Sequence, residues 1–198
     1  MDQKLESIKS QIRKKYKKIR SQIPKPEQKI LSLKIAKQLF KIKEFKKSKG
    51  LGIYLSKNNE VSTFLILKKS LALKKKIAAP KINLNKKGRM EFFQIKNLTK
   101  DCKEGIYRLL EPKDHCPHVS KEKLELILVP GIVFDSQGFR LGSGIGFYDR
   151  FLKKCASSLT IGLTFEKTFV PSLPHEKNDI PMELVITEKN VYRISHGK

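Results

Sequence analysis

Residues 129–152 read VPGIVFDSQGFRLGSGIGFYDRFL, and this stretch decides the fold class. Its apolar beginning is typical of a buried strand, and the pattern after its glycines predicts a helix over residues 147–155. Between them, Gly142, Gly144 and Gly146 would let backbone N–H groups approach an anion, and the helix N-terminus would add its positive dipole end. The stretch therefore predicts an anion site in an α/β protein, with a tight surface turn as the alternative.

Outward from this stretch, helical and strand patterns alternate along the chain. Helices are predicted over residues 2–23, 27–45 and 63–73, and strands over 51–55, 77–79, 90–94, 126–129, 160–164, 184–187 and 191–194. Residues 98–121 are predicted to form an irregular surface segment. Strands separated by helices predict one α/β domain over residues 1–198, with a mostly parallel sheet covered by helices on both faces.

Composition narrows the class of protein further. The 198 residues are 39% hydrophobic and 31% charged, which is typical of a globular chain, and three cysteines point to a reducing compartment. No apolar run approaches the roughly 18 residues needed to cross a bilayer. Lysines throughout the first twenty residues leave no signal-peptide core, so a cytoplasmic location is expected.

The net charge of +24 would attract any polyanion, whether nucleic acid, an anionic membrane or a small phosphorylated ligand. Only seven of the 43 basic residues are arginine, the residue best suited to bidentate phosphate and guanine contacts. Few aromatic residues lie among the lysines to stack on bases. A specific nucleic-acid partner and a membrane are therefore not expected, although a basic nucleic-acid-binding protein without catalysis stays as the alternative function.

The glycine-rich stretch matches neither the P-loop nor the dinucleotide-binding pattern. Arg140 before the glycines and Asp149 after them favour a phosphate over a plain turn, because a phosphate needs a cation and a magnesium-bound phosphate needs a carboxylate. The sequence HCPH at residues 115–118 has no second ligand pair at metal-site spacing, so we interpret it as a loop.

The segment RLGSGIGFYDR, residues 140–150, preceded by VPGIVFD, closely resembles the signature of the 5-formyltetrahydrofolate cyclo-ligase family. Four further stretches agree with the family in order and spacing: KSQIR at 9–13, GIYLSKNNEVST at 52–63, GIYRLLEP at 105–112 and LPHEKNDIPMELVITE at 173–188. The resemblance therefore covers nearly the whole chain.

This resemblance implies a three-layer α/β/α sandwich of the kind shared with ribose-5-phosphate isomerase and CoA transferases. It implies an enzyme that consumes ATP with Mg²⁺, closes 5-formyltetrahydrofolate to 5,10-methenyltetrahydrofolate, and works as a monomer. The folate substrate could carry a polyglutamate tail. Because the family is thought to phosphorylate the formyl oxygen, no enzyme nucleophile is needed, and catalysis consists of positioning and charge neutralisation.

The resemblance also assigns roles to residues. It implies that Arg140, Tyr148 and Asp149 are catalytic, that Asp149 and Asp179 hold the metal, and that Tyr54, Glu60 and Tyr148 contact the folate. For the nucleotide it implies Lys9, Arg13, Arg140, Leu141, Gly142, Ser143, Gly144, Ile145, Gly146, Phe147 and Tyr148.

Several of these residues also have plain structural interpretations. Lys9 and Arg13, four apart on one helix face, could be solvated charges, and Tyr54 has the position of a core residue. Asp149 could complement a helix dipole, and Asp179 could form a turn before Pro181. The chain departs from the family pattern at Ile145, where no side-chain charge is available to a phosphate, and at Val133, Thr168 and Glu183.

Overall fold

The computed structural model describes residues 3–57, 59–83, 89–105, 109–155 and 157–195. Its helices are α1 (Gln3–Ser21), α2 (Lys25–Lys41), α3 (Lys43–Lys47), α4 (Phe64–Ala72), α5 (Leu98–Asp101) and α6 (Phe147–Leu152). Its strands are β1 (Gly50–Gly52), β2 (Lys76–Asn83), β3 (Arg89–Ile95), β4 (Cys102–Glu104), β5 (Leu110–Pro112), β6 (His118–Val119), β7 (Leu126–Val129), β8 (Val133–Asp135), β9 (Arg140–Leu141), β10 (Leu159–Leu163), β11 (Phe169–Val170), β12 (Leu184–Ile186) and β13 (Val191–Arg193).

The central sheet has eight strands in the order β13-β12-β10-β7-β1-β2-β3-β6. The five strands from β12 to β2 pair in parallel, whereas β13, β3 and β6 are added antiparallel at the edges. Parallel strands are buried on both faces, and all four residues of β7 are buried accordingly. The prediction of an α/β fold with a mostly parallel sheet is confirmed.

The two faces of the sheet lie against different layers, because successive side chains of a strand point to opposite sides. Leu126 and Leu128 of β7 join a cluster with buried residues of α2, α3 and α4. Ile127 and Val129 join a second cluster with Leu152 of α6. This second face is also covered by a small sheet of the order β11-β8-β9, which the sequence analysis did not predict.

Phe134 of β8 anchors the small sheet on the central one. Its ring is fully buried, and a Cβ on Gly162 of β10 would lie only 2.3 Å from its Cε1 atom. On the other edge of the ring, a Cβ on Gly131 would lie 2.4 Å from its Cε2 atom. Two glycines therefore make room for one aromatic ring that joins the layers.

Asp135 fixes the turn that leads from β8 into β9. Its buried carboxylate accepts hydrogen bonds from the backbone N–H groups of Gln137 (3.0 Å), Phe139 (2.8 Å) and Leu173 (2.8 Å). Gly138 in this turn has a φ of +86°. Because of this turn, β9 runs antiparallel to β8, and this pairing determines the position of Arg140 and of the glycines that follow it.

Several predicted boundaries were wrong for local reasons. The predicted helix over 27–45 is two helices, because Ile42 is extended with φ −69° and ψ 143°, and Pro26 lies in the first turn of α2. The predicted first strand over 51–55 ends at Gly52, while β2 and β3 are longer than predicted because they pair with each other as an antiparallel ladder. Residues 98–121, predicted to be irregular, contain α5, β4, β5 and β6.

The HCPH stretch lies largely in a loop, as predicted, although its last residue begins β6. The fold brings Asp101 to it, so that the ligand atoms of Asp101, His115 and Cys116 lie within 4.8 Å of one another. Cys102 is distant from this stretch in sequence but lies near it in the fold. Burial is the main reason that the pKa of Cys102 is raised to about 11, and the nearby Cys116 and Asp101 raise it further. The Asp101 carboxylate also accepts the N–H groups of Lys96 and Asn97, which closes its own turn.

Across the described ranges, every helix is too short or too polar to cross a membrane.

Candidate active site

A pocket lies at the edge where the parallel strands β1, β7 and β10 end. In open α/β sheets this carboxyl edge is the usual place for a ligand. The residues that line the pocket come from the segments after those three strands and from the end of α1: Arg20, Tyr54, Glu60, Val61, Pro130, Gly131, Leu163, Thr164 and Phe165. The sequence predicted two of them, Tyr54 and Glu60, as substrate contacts.

The glycine-rich loop, residues 142–146, joins β9 to α6. Gly144 has a φ of +99° and Gly146 a φ of +73°, a left-handed backbone that side chains with a Cβ rarely adopt. Ser143, Gly144 and Ile145 are exposed, so the backbone of the loop is open to a ligand. Leu141, predicted to contact the nucleotide, has a buried side chain that packs in a cluster with Val133 and Leu173.

Arg13 of α1 reaches this loop across 129 residues of sequence. Its Nε atom donates to the carbonyl of Gly142 at 3.1 Å, and its Nη1 atom pairs with Glu6 at 2.6 Å. A Cβ on Gly144 would lie 3.5 Å from the Cζ atom of Arg13. The guanidinium therefore lies beside the exposed backbone of the loop, where an anion bound there would meet it.

Lys9, one helical turn earlier, is held by two carboxylates. Its Nζ atom lies 2.8 Å from Oδ2 of Asp179 and 3.2 Å from Oε2 of Glu176, and the residue is 3% exposed. Burial opposes its charge, but the hydrogen bonds that Lys9 donates to Asp179 and Glu176, together with their negative charges, outweigh burial and raise the pKa of Lys9. Lys9 is therefore neither a solvated charge nor a free cation for a phosphate.

Arg140 ties Asp149 to the segment that carries Asp179. Its Nη2 atom donates to Oδ1 of Asp149 at 2.9 Å, and its Nη1 atom donates to the carbonyl of Ile180 at 2.9 Å. The N–H of Ile180 donates to the same Asp149 oxygen at 3.2 Å. The two carboxylates predicted to hold a metal are therefore placed on one connected network.

Tyr148 lies on α6 and packs against both core clusters. Its hydroxyl oxygen is inaccessible and has no hydrogen-bond partner among the described residues. Burial first, and then the nearby Glu60 carboxylate, raise the pKa of Tyr148. Tyr54, by contrast, donates its hydroxyl to the carbonyl of Val61 at 3.0 Å, so its polar atom is already used by the fold.

Glu60 is partly exposed at the pocket, and its Oε2 atom accepts the N–H of Lys57 at 3.0 Å. Burial of its carboxylate is the main reason that the pKa of Glu60 is raised, while that hydrogen bond and the charge of Arg20 oppose the rise. Phe147 is partly buried, with the Arg150 guanidinium over its ring at 5.4 Å.

Sequence analysis missed two residues of this region. Arg20 lines the pocket but resembles any other basic residue of the lysine-rich α1. Glu176 shares Lys9 with Asp179, and its position three residues before Asp179 gives no signal until the chain is folded.

Known proteins resemble this chain along nearly its whole length. The 5-formyltetrahydrofolate cyclo-ligase family matches residues 6–188. The chain belongs to this family. A probable 5-formyltetrahydrofolate cyclo-ligase of Caenorhabditis elegans is 26% identical over 195 residues, with 93% of this chain and 94% of that protein covered. The 5-formyltetrahydrofolate cyclo-ligase of Haemophilus influenzae is 27% identical over 175 residues, with 87% and 93% covered.

Among solved structures, the NMR structure of Aquifex aeolicus 5,10-methenyltetrahydrofolate synthetase matches with a TM-score of 0.85 and 32% identity. The match covers 96% of this chain and 95% of that one. Membership of the cyclo-ligase family confirms the resemblance seen in the sequence and makes the chain an enzyme of this type. The individual site assignments stay predictions.

Proposed function

We propose that the chain closes 5-formyltetrahydrofolate to 5,10-methenyltetrahydrofolate at the expense of ATP, releasing ADP and phosphate. The observation that carries this proposal is that one helix, α1, contributes Arg13 to the exposed glycine-rich loop and Arg20 to the Glu60 pocket. Family membership gives the reaction class, and in this proposal the loop would hold the nucleotide and the pocket the folate.

The reaction proceeds in two steps, in each of which one bond forms and one breaks. The formyl oxygen attacks the γ-phosphorus and the bond to the β-phosphate oxygen breaks; N10 then attacks the formyl carbon and gives up its proton, and hydrogen phosphate leaves with that proton and the former formyl oxygen. The loop N–H groups and Arg13 would hold the phosphates, while Glu60 would accept hydrogen bonds from the pterin. In such a mechanism the protein supplies alignment and charge neutralisation, in place of a nucleophile.

The residues predicted for Mg²⁺ fit such an ion. Asp149 uses Oδ1 and Asp179 uses Oδ2 in the contacts described above, which leaves one carboxylate oxygen on each for a ligand. Mg²⁺ is usually held by one or two carboxylates together with substrate phosphates and water. Asp149 and Asp179 would hold the ion, which would neutralise phosphate charge, and Lys9 and Arg140 would orient the two carboxylates.

The remaining expectations also belong to this proposal. The net charge of +24 would attract ATP and the anionic glutamate tail of the folate, including a polyglutamate tail. A monomer stays the prediction of the resemblance, and a cytoplasmic location stays the prediction of the sequence. The alternative, a nucleic-acid-binding protein without catalysis, is not supported by the relatives, which are cyclo-ligases.

The direct test is a cyclisation assay with purified protein. Saturable formation of the methenyl product, followed by its ultraviolet absorbance, is expected with ATP and Mg²⁺ and absent when either is omitted. ADP and product should form in equal amounts. ATP hydrolysis that does not depend on 5-formyltetrahydrofolate, or a lack of methenyl product, would contradict the proposal.

Replacing Gly144 with valine is expected to reduce cyclisation about 100-fold or more. The φ of +99° strains any β-branched residue, and a displaced loop would misplace the phosphates against the formyl oxygen. Gly142→Ala is the graded comparison, because its Cβ would meet no atom within 4 Å, and it should lose far less. Salt-sensitive polyanion binding should be equal in both variants; equal cyclisation in both would count against the loop.

A further inference from the structure

Arg20 and Glu60 line the same pocket without contacting each other. Nη1 of Arg20 donates to the carbonyl of Gly131 at 2.9 Å, and Oε2 of Glu60 accepts the N–H of Lys57 at 3.0 Å. Each group is thus held by its own backbone contact, and no ion pair between these two side chains is found among the described residues. An acid and a guanidinium that line one pocket without neutralising each other could both contact the same ligand.

Two buried polar atoms in this region lack partners. The Nε atom of Arg20 and the hydroxyl of Tyr148 are inaccessible and make no hydrogen bond among the described residues. Buried donors are nearly always satisfied in folded proteins, and a guanidinium stays charged even when it is buried. Unsatisfied donors at a pocket wall that also holds a carboxylate point to a polar ligand with an acceptor beside its donors.

We propose that Arg20 is a specificity-determining contact of the folate pocket, with its guanidinium donating to the ring carbonyl of the pterin while Glu60 accepts from the adjacent ring N–H and amino groups. This inference rests on the proposed function. A pterin presents that carbonyl and those N–H groups along one edge, so a separated guanidinium and carboxylate match it better than either group alone. The fixed fork of Arg20, held at Gly131, gives the contact its direction.

Arg20 has a second effect, through the charge of Glu60. The groups that act on this carboxylate are Arg20 from α1, Lys57 from its own loop, Tyr54 after β1 and Tyr148 from α6. Burial raises the pKa of Glu60, and the charge of Arg20 opposes that rise. Because only the ionised Glu60 offers both oxygens as acceptors to the two pterin donors, folate affinity should fall as the pH drops through this pKa. Removing Arg20 should move that fall to higher pH.

The test compares three variants by their KM for 5-formyltetrahydrofolate across a pH series. Arg20→Gln should raise this KM about 10-fold or more at neutral pH, with the KM for ATP unchanged. It should also move the acid limb of kcat/KM upward by about one pH unit. Arg20→Lys keeps the positive charge but lacks the planar guanidinium, so the acid limb of its kcat/KM profile should stay near that of the parent protein while its KM for the folate stays raised. Lys17→Gln is the matched control, an exposed residue on the same helix with the same change of charge.

Equilibrium binding of 5-formyltetrahydrofolate without ATP, over the same pH series, separates this inference from the proposed function. If the parent protein binds the folate but does not cyclise it, the proposed function fails, and the binding shift still tests Arg20. In a protein that already carries Glu60→Gln, the further change Arg20→Gln should not shift the acid limb of kcat/KM. If Arg20→Gln matches Lys17→Gln, or lowers only the thermal midpoint while KM and the limb stay fixed, Arg20 is merely structural and the inference is overturned.

Discussion

Asp149→Asn is expected to lower the turnover number for cyclisation about 100-fold or more while the fold is retained. Asparagine can keep the acceptor that Arg140 and the N–H of Ile180 use at 2.9 and 3.2 Å, so the network around it can persist. The amide lacks the negative charge that would hold Mg²⁺ against the phosphates, and lost stabilisation of developing charge costs factors of this size. Initial rates at several Mg²⁺ concentrations measure the effect, and the Mg²⁺ needed for half-maximal rate should rise.

Asp114→Asn is the matched control for that experiment. It makes the same chemical change at a carboxylate whose side chain is 78% exposed and paired with Lys81 and Lys103, in the segment between β5 and β6. Its turnover and Mg²⁺ dependence should equal those of the parent protein. A parent-like rate in Asp149→Asn would remove the metal role from this residue, and a loss shared by both variants would point to overall charge instead.

The same network explains why the site spans distant parts of the chain. Lys9 at the start of α1 binds Asp179, and Arg140 binds both Asp149 and the carbonyl of Ile180. Two basic side chains thereby hold the two carboxylates in place. If Asp149 and Asp179 bind Mg²⁺ as proposed, the fold would present both carboxylates to the ion already oriented.

The central strands could be predicted from sequence because of how parallel sheets bury their residues. A strand covered on both faces is a continuous apolar run, and the runs at 126–129, 160–164 and 184–187 became β7, β10 and β12 with at most one residue of difference at either end. Helix α1 could be predicted equally well, since it covers 3–21 of the predicted 2–23. The glycine loop could be recognised because its alternating glycines come directly before the predicted helix that became α6.

The contacts that complete the site could not be predicted from local patterns. Strands β8, β9 and β11 have two or three residues each, too few for any periodicity to be recognised. The ion pair between Lys9 and Asp179 joins residues 170 positions apart, and Arg20 became part of the pocket only through the packing of α1. Sequence predicted most of the charged residues of the site but missed Arg20 and Glu176, and the fold decides which charges neutralise each other.

Gly162→Ala is expected to destabilise the protein by about 3 kcal/mol or more. The new Cβ would lie 2.3 Å from Cε1 of Phe134, far inside van der Waals contact. The ring has no room to retreat, because the backbone of Gly131 lies against its opposite edge. The free energy of unfolding from urea denaturation measures the loss, and Gly142→Ala, where the added methyl meets open space, should lose less than about 1 kcal/mol.

A double-mutant cycle assigns that loss to the ring. Phe134→Leu alone should destabilise the protein by opening a cavity, but in its background Gly162→Ala should cost much less, because the smaller side chain leaves room for the new methyl. Additive effects would show that the strain lies elsewhere. Because β8, which carries Phe134, is paired with β9, which carries Arg140, relief of the clash should also restore part of the cyclisation rate that Gly162→Ala loses.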